Sequence, residues 1–400
     1  MYTTRSASST KRLVKFRVTM ALLSGLRIVD FSRLLPGAVL TQLLADMGAD
    51  VIKIERPEKG DDIRRAGPAT HGTSAIHLFL DRGKRSVALD LGSAEGHRAA
   101  VAIVATADAV IESFRPGRAA ELGLSYEALS EGNAKLVYCS LNGYGDSGPR
   151  ARVAGHDLNY CAYAGMLDFA GWEGEGPRAP GVQVADVAGG TIGAVGLLAA
   201  LLSCSRTGEG ARIEVALADV ALWTIGIHVS SYLAGGPQGP RSGDLNGRWP
   251  CYDIYECADG RFIAVAALEP KFWTVLVDAL DKPDLAARQF DSDLTAELRE
   301  LLRSRPQAHW LSRLEGIDSC VAPVRRFDEL TDDEQFATNH MFIEAPAGSG
   351  RIKQVGTPLR SAAIARPSRS AAVVVGEHTA EVLAECGISL GAVSAARYVP

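Results

Sequence analysis

Leu26-Arg27-Ile28-Val29-Asp30-Phe31 is a short apolar run. Ser32-Arg33-Leu34-Leu35-Pro36-Gly37 follows it and opens a segment in which Leu40, Leu43, Leu44 and Met47 share one helical face, before Val51-Ile52-Lys53-Ile54-Glu55 turns apolar and β-branched again. The period changes from that of a strand to that of a helix and back, and Pro36 and Gly37 stand where a helix begins. This is one βαβ unit. Ser86 to Leu91, Glu95 to Thr106 and Ala109 to Glu112 repeat it, and Leu136 to Leu141 supplies a further strand. Strands alternating with amphipathic helices predict an α/β fold with a Rossmann-like parallel sheet. The first strand-to-helix turn lacks G-x-G-x-x-G, so a nicotinamide dinucleotide is not expected.

Further along, Asn142-Gly143-Tyr144-Gly145-Asp146-Ser147-Gly148-Pro149 is rich in turn residues and must be a loop at the carboxyl end of a strand, where open α/β sheets bind ligands. Asp157 to Ala164 and Val187 to Ser205 read as helices, and Arg206-Thr207-Gly208-Glu209-Gly210 turns the chain into a strand at Ile213-Glu214-Val215. Gly235-Gly236-Pro237-Gln238-Gly239-Pro240 has the composition of a linker, and Tyr252 to Cys257 and Phe262 to Ala267 form a hairpin around Ala258-Asp259-Gly260. The composition therefore divides the chain into a large domain from 20 to 225, a linker with a smaller α+β domain from 226 to 327, and a return segment to the large domain from 328 to 400. Residues 1–19 stand apart. Arg5, Lys11, Arg12, Lys15 and Arg17 lie among Ser and Thr with no acid, the composition of a transit peptide or of a start assigned upstream of Met20, and the segment is left out of the fold.

The 400 residues exceed what one core usually organises. A formal net charge of −5 gives no global reason to expect nucleic acid, so any anion must be met by local basic residues. The apolar run Ile192 to Cys204 is too short to span a bilayer, which predicts a soluble protein with no membrane partner. Seven scattered cysteines form no C-x-x-C pair and eight histidines no H-x-x-x-H, so neither a disulfide framework nor a metal site is expected, and a reducing, cytoplasmic setting fits.

Three stretches make the reading specific. Leu23-Ser24-Gly25-Leu26-Arg27-Ile28-Val29-Asp30 with Pro36-Gly37, then Leu44-Ala45-Asp46-Met47-Gly48-Ala49-Asp50-Val51-Ile52-Lys53-Ile54-Glu55-Arg56-Pro57, and later Phe114-Arg115-Pro116-Gly117 with Leu141-Asn142-Gly143-Tyr144-Gly145, resemble class III CoA-transferases, the CaiB/BaiF family. Gly83-Lys84-Arg85-Ser86, Leu89-Asp90-Leu91, Arg206 to Gly210 and Gly376-Glu377-His378-Thr379 extend the resemblance over about 23–388. Ala154-Gly155-His156-Asp157-Leu158-Asn159-Tyr160, Ala185-Asp186-Val187-Ala188-Gly189-Gly190, Leu268-Glu269-Pro270-Lys271-Phe272 and Asp318 to Val324 are similar to its α-methylacyl-CoA racemase branch. Asn246-Gly247-Arg248-Trp249-Pro250 departs from that branch, which commonly has small residues before the proline.

The resemblance implies racemisation of 2-methylacyl-CoA thioesters through an enolate. Removing an α-proton on one face and returning one on the other requires two acid/base groups, and His156 and Asp186 match the family's pair. The plain readings are a helix-start histidine and a helix N-cap aspartate. The backbone amide of Asp157 would hold the enolate oxygen, while its carboxylate reads equally as a first-turn acid facing the helix dipole. Glu269 would orient His156. For the CoA moiety, Arg56 is the first phosphate candidate, Lys84 and Arg85 come next, Arg115 is a CoA or active-site contact, the backbone at Leu89 and Asp90 lines the adenosine, and Gly155 and Tyr160 complete the site. No tightly bound cofactor is implied, since coenzyme A arrives as part of the substrate. The resemblance further implies an interlocked homodimer, with Glu269 reaching the neighbouring subunit's His156.

Two other readings compete. A CoA transferase would use Asp186 as a nucleophile and need no histidine at 156. A silent acyl-CoA-binding protein would keep Arg56 and Arg115 but need not keep His156, Asp186 and Glu269 together. The acyl group is open in all three.

Overall fold

The computed structural model describes residues 20–171, 176–361, 363–364 and 370–389, so the expectation for residues 1–19 lies outside the described residues. The large domain opens with β1 (Arg27–Asp30), α1 (Leu35–Asp46), β2 (Asp50–Glu55), β3 (Arg85–Ala88), α2 (Ala94–Val104), β4 (Ala109–Glu112) and β5 (Val137–Asn142). It continues with α3 (Asp157–Tyr163), α4 (Val184–Thr207), β6 (Ala211–Ala216) and α5 (Leu217–Thr224). The six strands form one parallel sheet in the order β3-β2-β1-β4-β5-β6. Because β1 pairs with both β2 and β4, the order reverses at β1, and a crevice opens there beyond the carboxyl ends of the strands.

Strand alternation decides which side chain faces which layer. Ile28, Val51, Ile111, Cys139 and Val215 point to one face, where Leu40 and Leu44 of α1 and Ala194 and Leu197 of α4 cover them. Val29, Ile52, Val87, Val110 and Tyr138 point to the other face, beneath Ala99, Ala100 and Ile103 of α2. Both faces are dry, as a parallel sheet requires.

A second core has its own elements: β7 (Tyr252–Glu256), β8 (Phe262–Ala266), α6 (Pro270–Ala279), α7 (Leu294–Arg303), α8 (Gln307–Leu314) and β9 (Val321–Pro323). The three strands pair antiparallel in the order β9-β8-β7, with the hairpin where the sequence predicted it. Tyr255, Ile263, Trp273, Leu298 and Trp310 fill this core. The chain then forms an antiparallel pair, β10 (Phe342–Ala347) with β11 (Gly350–Val355), before α9 (Thr379–Glu385) packs Val382 and Leu383 onto the β3 side of the large domain's core.

One expectation changes. The helix read over Val187 to Ser205, with its apolar run from Ile192 to Cys204, is a 24-residue helix, Val184–Thr207, long and apolar enough by length and composition to cross a membrane. It packs along α1 through small residues. A Cβ on Gly190 would come within 2.5 Å of the Pro36 carbonyl oxygen and 2.9 Å of Val39 Cβ. That close approach requires glycine.

Gly190→Ala should therefore push α4 off α1 and destabilise the protein by roughly 1–3 kcal/mol, the usual cost of overpacking. Urea unfolding measures it. A midpoint equal to that of the wild type would show that the two helices are not in tight contact.

Candidate active site

The turn after β1 is built first, because it sits where the strand order reverses. Ser32 donates from its amide (2.8 Å) and its hydroxyl (2.5 Å) to Asp30 Oδ1, which closes the turn on the strand. The Arg33 amide donates to Ser113 Oγ beyond β4 at 2.9 Å. The Ser32 carbonyl accepts from Lys53 Nζ of β2 at 3.3 Å. Lys53 is buried, 3.1 Å from Asp61 and 3.8 Å from Asp30. Burial alone would lower its pKa, but Asp30, Asp81, Asp61 and Glu55 outweigh that and raise it, so the ammonium stays protonated.

Around this turn lies a cavity of about 1340 Å³ at the carboxyl ends of the strands. Of the residues expected from sequence, Arg56, Leu89, Asp90, Arg115, Gly155, His156, Tyr160 and Asp186 line it together. Arg56 is exposed at the rim, where its guanidinium bonds both oxygens of Asp62 at 3.1 Å and the Gly60 carbonyl at 3.2 Å. Arg33 shares Asp62. Lys59, Arg115 and Arg152 add positive charge to the same wall, so an acidic protein presents a basic rim to an anion.

The placement of Lys84 and Arg85 is a correction. Lys84 and Arg85 do not line the cavity, because they lie at the amino end of β3 whereas the cavity opens at the carboxyl ends. Lys84 is buried, with Nζ 2.7 Å from Asp81 and 3.1 Å from the Ala38 carbonyl. Arg85 is buried between Asp50 and Glu385, at 2.5 and 2.7 Å, and so ties α9 to the sheet. Glu269 is exposed at the N-cap of α6 in the smaller core and does not line the cavity within one chain. Arg248 and Trp249 do not line it either; the guanidinium stacks 4.3 Å from the indole ring.

His156 and Asp186 enter from two helix starts. His156 is the N-cap of α3, and its amide donates to Asn159 Oδ1 at 3.0 Å. Asp186 is not the N-cap of α4 as expected. Gln183 takes that position, which places Asp186 in the first turn. Asp157, the first residue of α3, is buried, and its Oδ1 accepts from the Asp186 amide at 3.1 Å. The two first turns are thus joined. Burial first, and then the Asp157 carboxylate, push the Asp186 carboxyl up to about 7. Tyr160 donates to the Gly155 carbonyl at 2.6 Å, and its ring fits against Gly143 and Gly155, where a Cβ on either would come within 2.7 Å of it.

Lys53, Asp61, Ser32 and Ser113 are the residues that sequence reasoning missed. A lysine followed by an acid inside the apolar strand Val51-Ile52-Lys53-Ile54-Glu55 was the available signal, since a charge on a buried strand needs a partner.

Comparison with known proteins bears on this arrangement. The profile of CoA-transferase family III matches residues 23–379. Over 374 residues the chain is 33% identical to the alpha-methylacyl-CoA racemase of Homo sapiens, covering 92% of this chain and 94% of that one. It is also 33% identical over 392 residues to the succinyl-CoA:mesaconate CoA-transferase of Haloarcula hispanica, covering 93% and 98%. A crystal structure of a CAIB/BAIF family protein from Brucella suis superposes with a TM-score of 0.81 at 31% identity, covering 92% of this chain and all of that one.

The joined helix starts predict a pH signature. The Asp186 carboxyl is raised from the ordinary aspartate range of about 4 in the unfolded chain to about 7 in the fold, so its protonation favours folding. Its contribution is fully present below about pH 4 and is lost as pH rises through about 7. Asp186→Asn should therefore gain stability relative to wild type between pH 4 and 8, measured by urea unfolding at each pH. Asp157→Asn keeps an acceptor for the Asp186 amide but removes the charge, and should move the wild-type midpoint down. A pH-independent difference between wild type and Asp186→Asn would contradict the electrostatics.

Proposed function

Because the chain belongs to CoA-transferase family III, we propose that it is the racemase kind of that family, inverting the α-carbon of 2-methylacyl-CoA thioesters. Its acyl-CoA-directed family is shared by racemases and transferases at equal identity, so the reading rests on the site. The observation that supports it is that His156 and Asp186 stand at two joined helix starts on one cavity, with the Asp186 carboxyl near neutrality. A carboxyl poised near 7 can take a proton in one direction and give it in the other at neutral pH, whereas a nucleophile is served by staying ionised.

In this reading Asp186 and His156 flank the α-carbon. One, unprotonated, removes the α-proton; the other, protonated, returns a proton to the opposite face, and the roles exchange for the other enantiomer. The thioester oxygen gains negative charge between the two steps. The amide of Asp157, the first in α3 and without an intrahelical acceptor, is the donor for it. Such a donor is worth a factor of roughly 100 to 1000 in rate. Arg56 and Arg115 hold the CoA phosphates, and coenzyme A enters only as part of the substrate.

The cavity is open within one chain, and His156 is exposed. Trp223, Ile227 and Leu233 on and after α5 are 70, 65 and 78% exposed, a large apolar surface for a lone subunit. An interlocked homodimer would cover such a surface and bring Glu269 from the second subunit towards His156, where a carboxylate orients an imidazole.

The two enzyme readings separate by mutation. His156→Ala should lower racemisation by roughly 100-fold or more, the usual worth of a general acid or base, while Asp186 still exchanges the α-proton of one enantiomer with deuterium oxide. Asp186→Asn should leave exchange of the opposite enantiomer. A transferase would instead tolerate His156→Ala, lose all activity in Asp186→Asn, and yield a hydroxylamine-sensitive adduct on Asp186; that outcome would replace the racemase reading.

A further inference from the structure

Leu34 has φ 63° and ψ −149°, a backbone conformation that glycine adopts freely and that a Cβ disfavours. It is the N-cap of α1, it is 37% exposed, and it lines the cavity that Arg33, Arg56 and His156 also line. A leucine is not held there by local preference, so something must hold it. Both oxygens of Asp61 accept from the Leu34 amide, at 3.3 and 3.2 Å. Asp61 is itself buried and fixed from three other sides: the Lys53 ammonium lies 3.1 Å away, the Ile63 amide donates to it at 3.1 Å, and its own amide donates to Glu55 at 3.0 Å.

The network has a direction. Glu55, at the end of β2, is locked by Arg64 at 2.7 Å on each oxygen. It holds the Asp61 amide, and Asp61 holds Leu34. Lys53 holds both Asp61 and the Ser32 carbonyl, so it grips the turn on either side of Arg33. The turn at the reversal of strand order is therefore fixed from β1, β2, the segment after β2 and the segment after β4. A buried ammonium and a buried carboxylate cost desolvation, and a strained leucine adds to it. Such costs persist where a geometry is needed at a site.

We propose that Asp61, backed by Lys53, is a positioning residue that clamps the Leu34 amide and thereby sets Leu34 as a fixed apolar wall against the acyl-thioester end of a bound acyl-CoA. Asp61 does not touch the substrate; it acts through Leu34. The proposal rests on the reading of the cavity as an acyl-CoA site and is independent of whether the reaction there is racemisation or transfer.

Calorimetric titration with acetyl-CoA tests it, in wild type and in the variants Asp61→Ala, Asp61→Asn, Leu34→Gly and Leu34→Gly/Asp61→Ala, with the melting temperature of each recorded. Asp61→Ala should weaken binding about tenfold, a coupling of ordinary size for residues in contact, and Asp61→Asn, which keeps an acceptor for the Leu34 amide, should recover most of that loss. Leu34→Gly relieves the strained backbone and should melt no lower than wild type, yet bind acetyl-CoA more weakly. In the Leu34→Gly background Asp61→Ala should weaken binding less than about twofold further, because the residue it acts through is gone. An equal penalty in both backgrounds would overturn the proposal, since Asp61 would then serve binding or stability by another route. Leu34→Gly folds without needing the clamp, so undiminished affinity in that variant overturns the proposal even if Asp61→Ala fails to fold. No binding of acetyl-CoA to the wild type would remove the reading of the cavity and the proposal with it.

Discussion

A hydrogen bond from the Asp186 amide to Asp157 Oδ1 joins the two helix starts on which the candidate chemistry stands. It fixes the first turn of α4 against the first turn of α3, and it brings one carboxylate beside another in a half-buried place. Burial first, and then that like charge, keep Asp186 able to hold a proton near neutral pH. On its other side α4 lies close on α1, with Gly190 against the Pro36 carbonyl and Gly193 against Leu40. Helix α1 is placed in turn by the first βαβ unit.

Charges of both signs line the same cavity. Arg33, Arg56, Lys59, Arg115 and Arg152 stand on its wall, suited to the phosphates of a nucleotide-bearing thiol. Asp186 lines the same cavity and is tied to the buried Asp157, and Lys53 with Asp61 sits beneath the turn after β1. A net charge of −5 is no obstacle to binding an anion when the basic groups are collected on one wall.

Much of this was legible in the sequence. The strands and helices follow from periodicity, and Ala109 to Glu112 comes out to the residue, because a parallel sheet buried on both faces imposes continuous apolar runs. His156 and Asp186 were found by motif, and the fold brings them to one cavity although they lie 30 positions apart. Lys84 and Arg85 were misread for a physical reason: a basic pair looks the same in sequence whether it faces solvent, a phosphate or a carboxylate. Arg85 finds Asp50 and Glu385, 35 and 300 residues away, and no local pattern records such partners. The length of α4 was understated because its first turn, with Asp186, and its last, with Arg206, are polar enough to look like its flanks. Glu269 is a different case, since one chain alone does not place it at the cavity.

The account stands on proton transfer at the α-carbon by two groups on opposite faces. Its most direct test is to incubate the wild-type protein with one enantiomer of a 2-methylacyl-CoA in deuterium oxide and follow chirality and deuterium at the α-carbon together. Two bases flanking the carbon predict that the other enantiomer accumulates and carries deuterium from its first appearance. Retention of configuration with no deuterium incorporated, across several 2-methylacyl-CoA thioesters and with CoA passing to an added carboxylic acid, would contradict it.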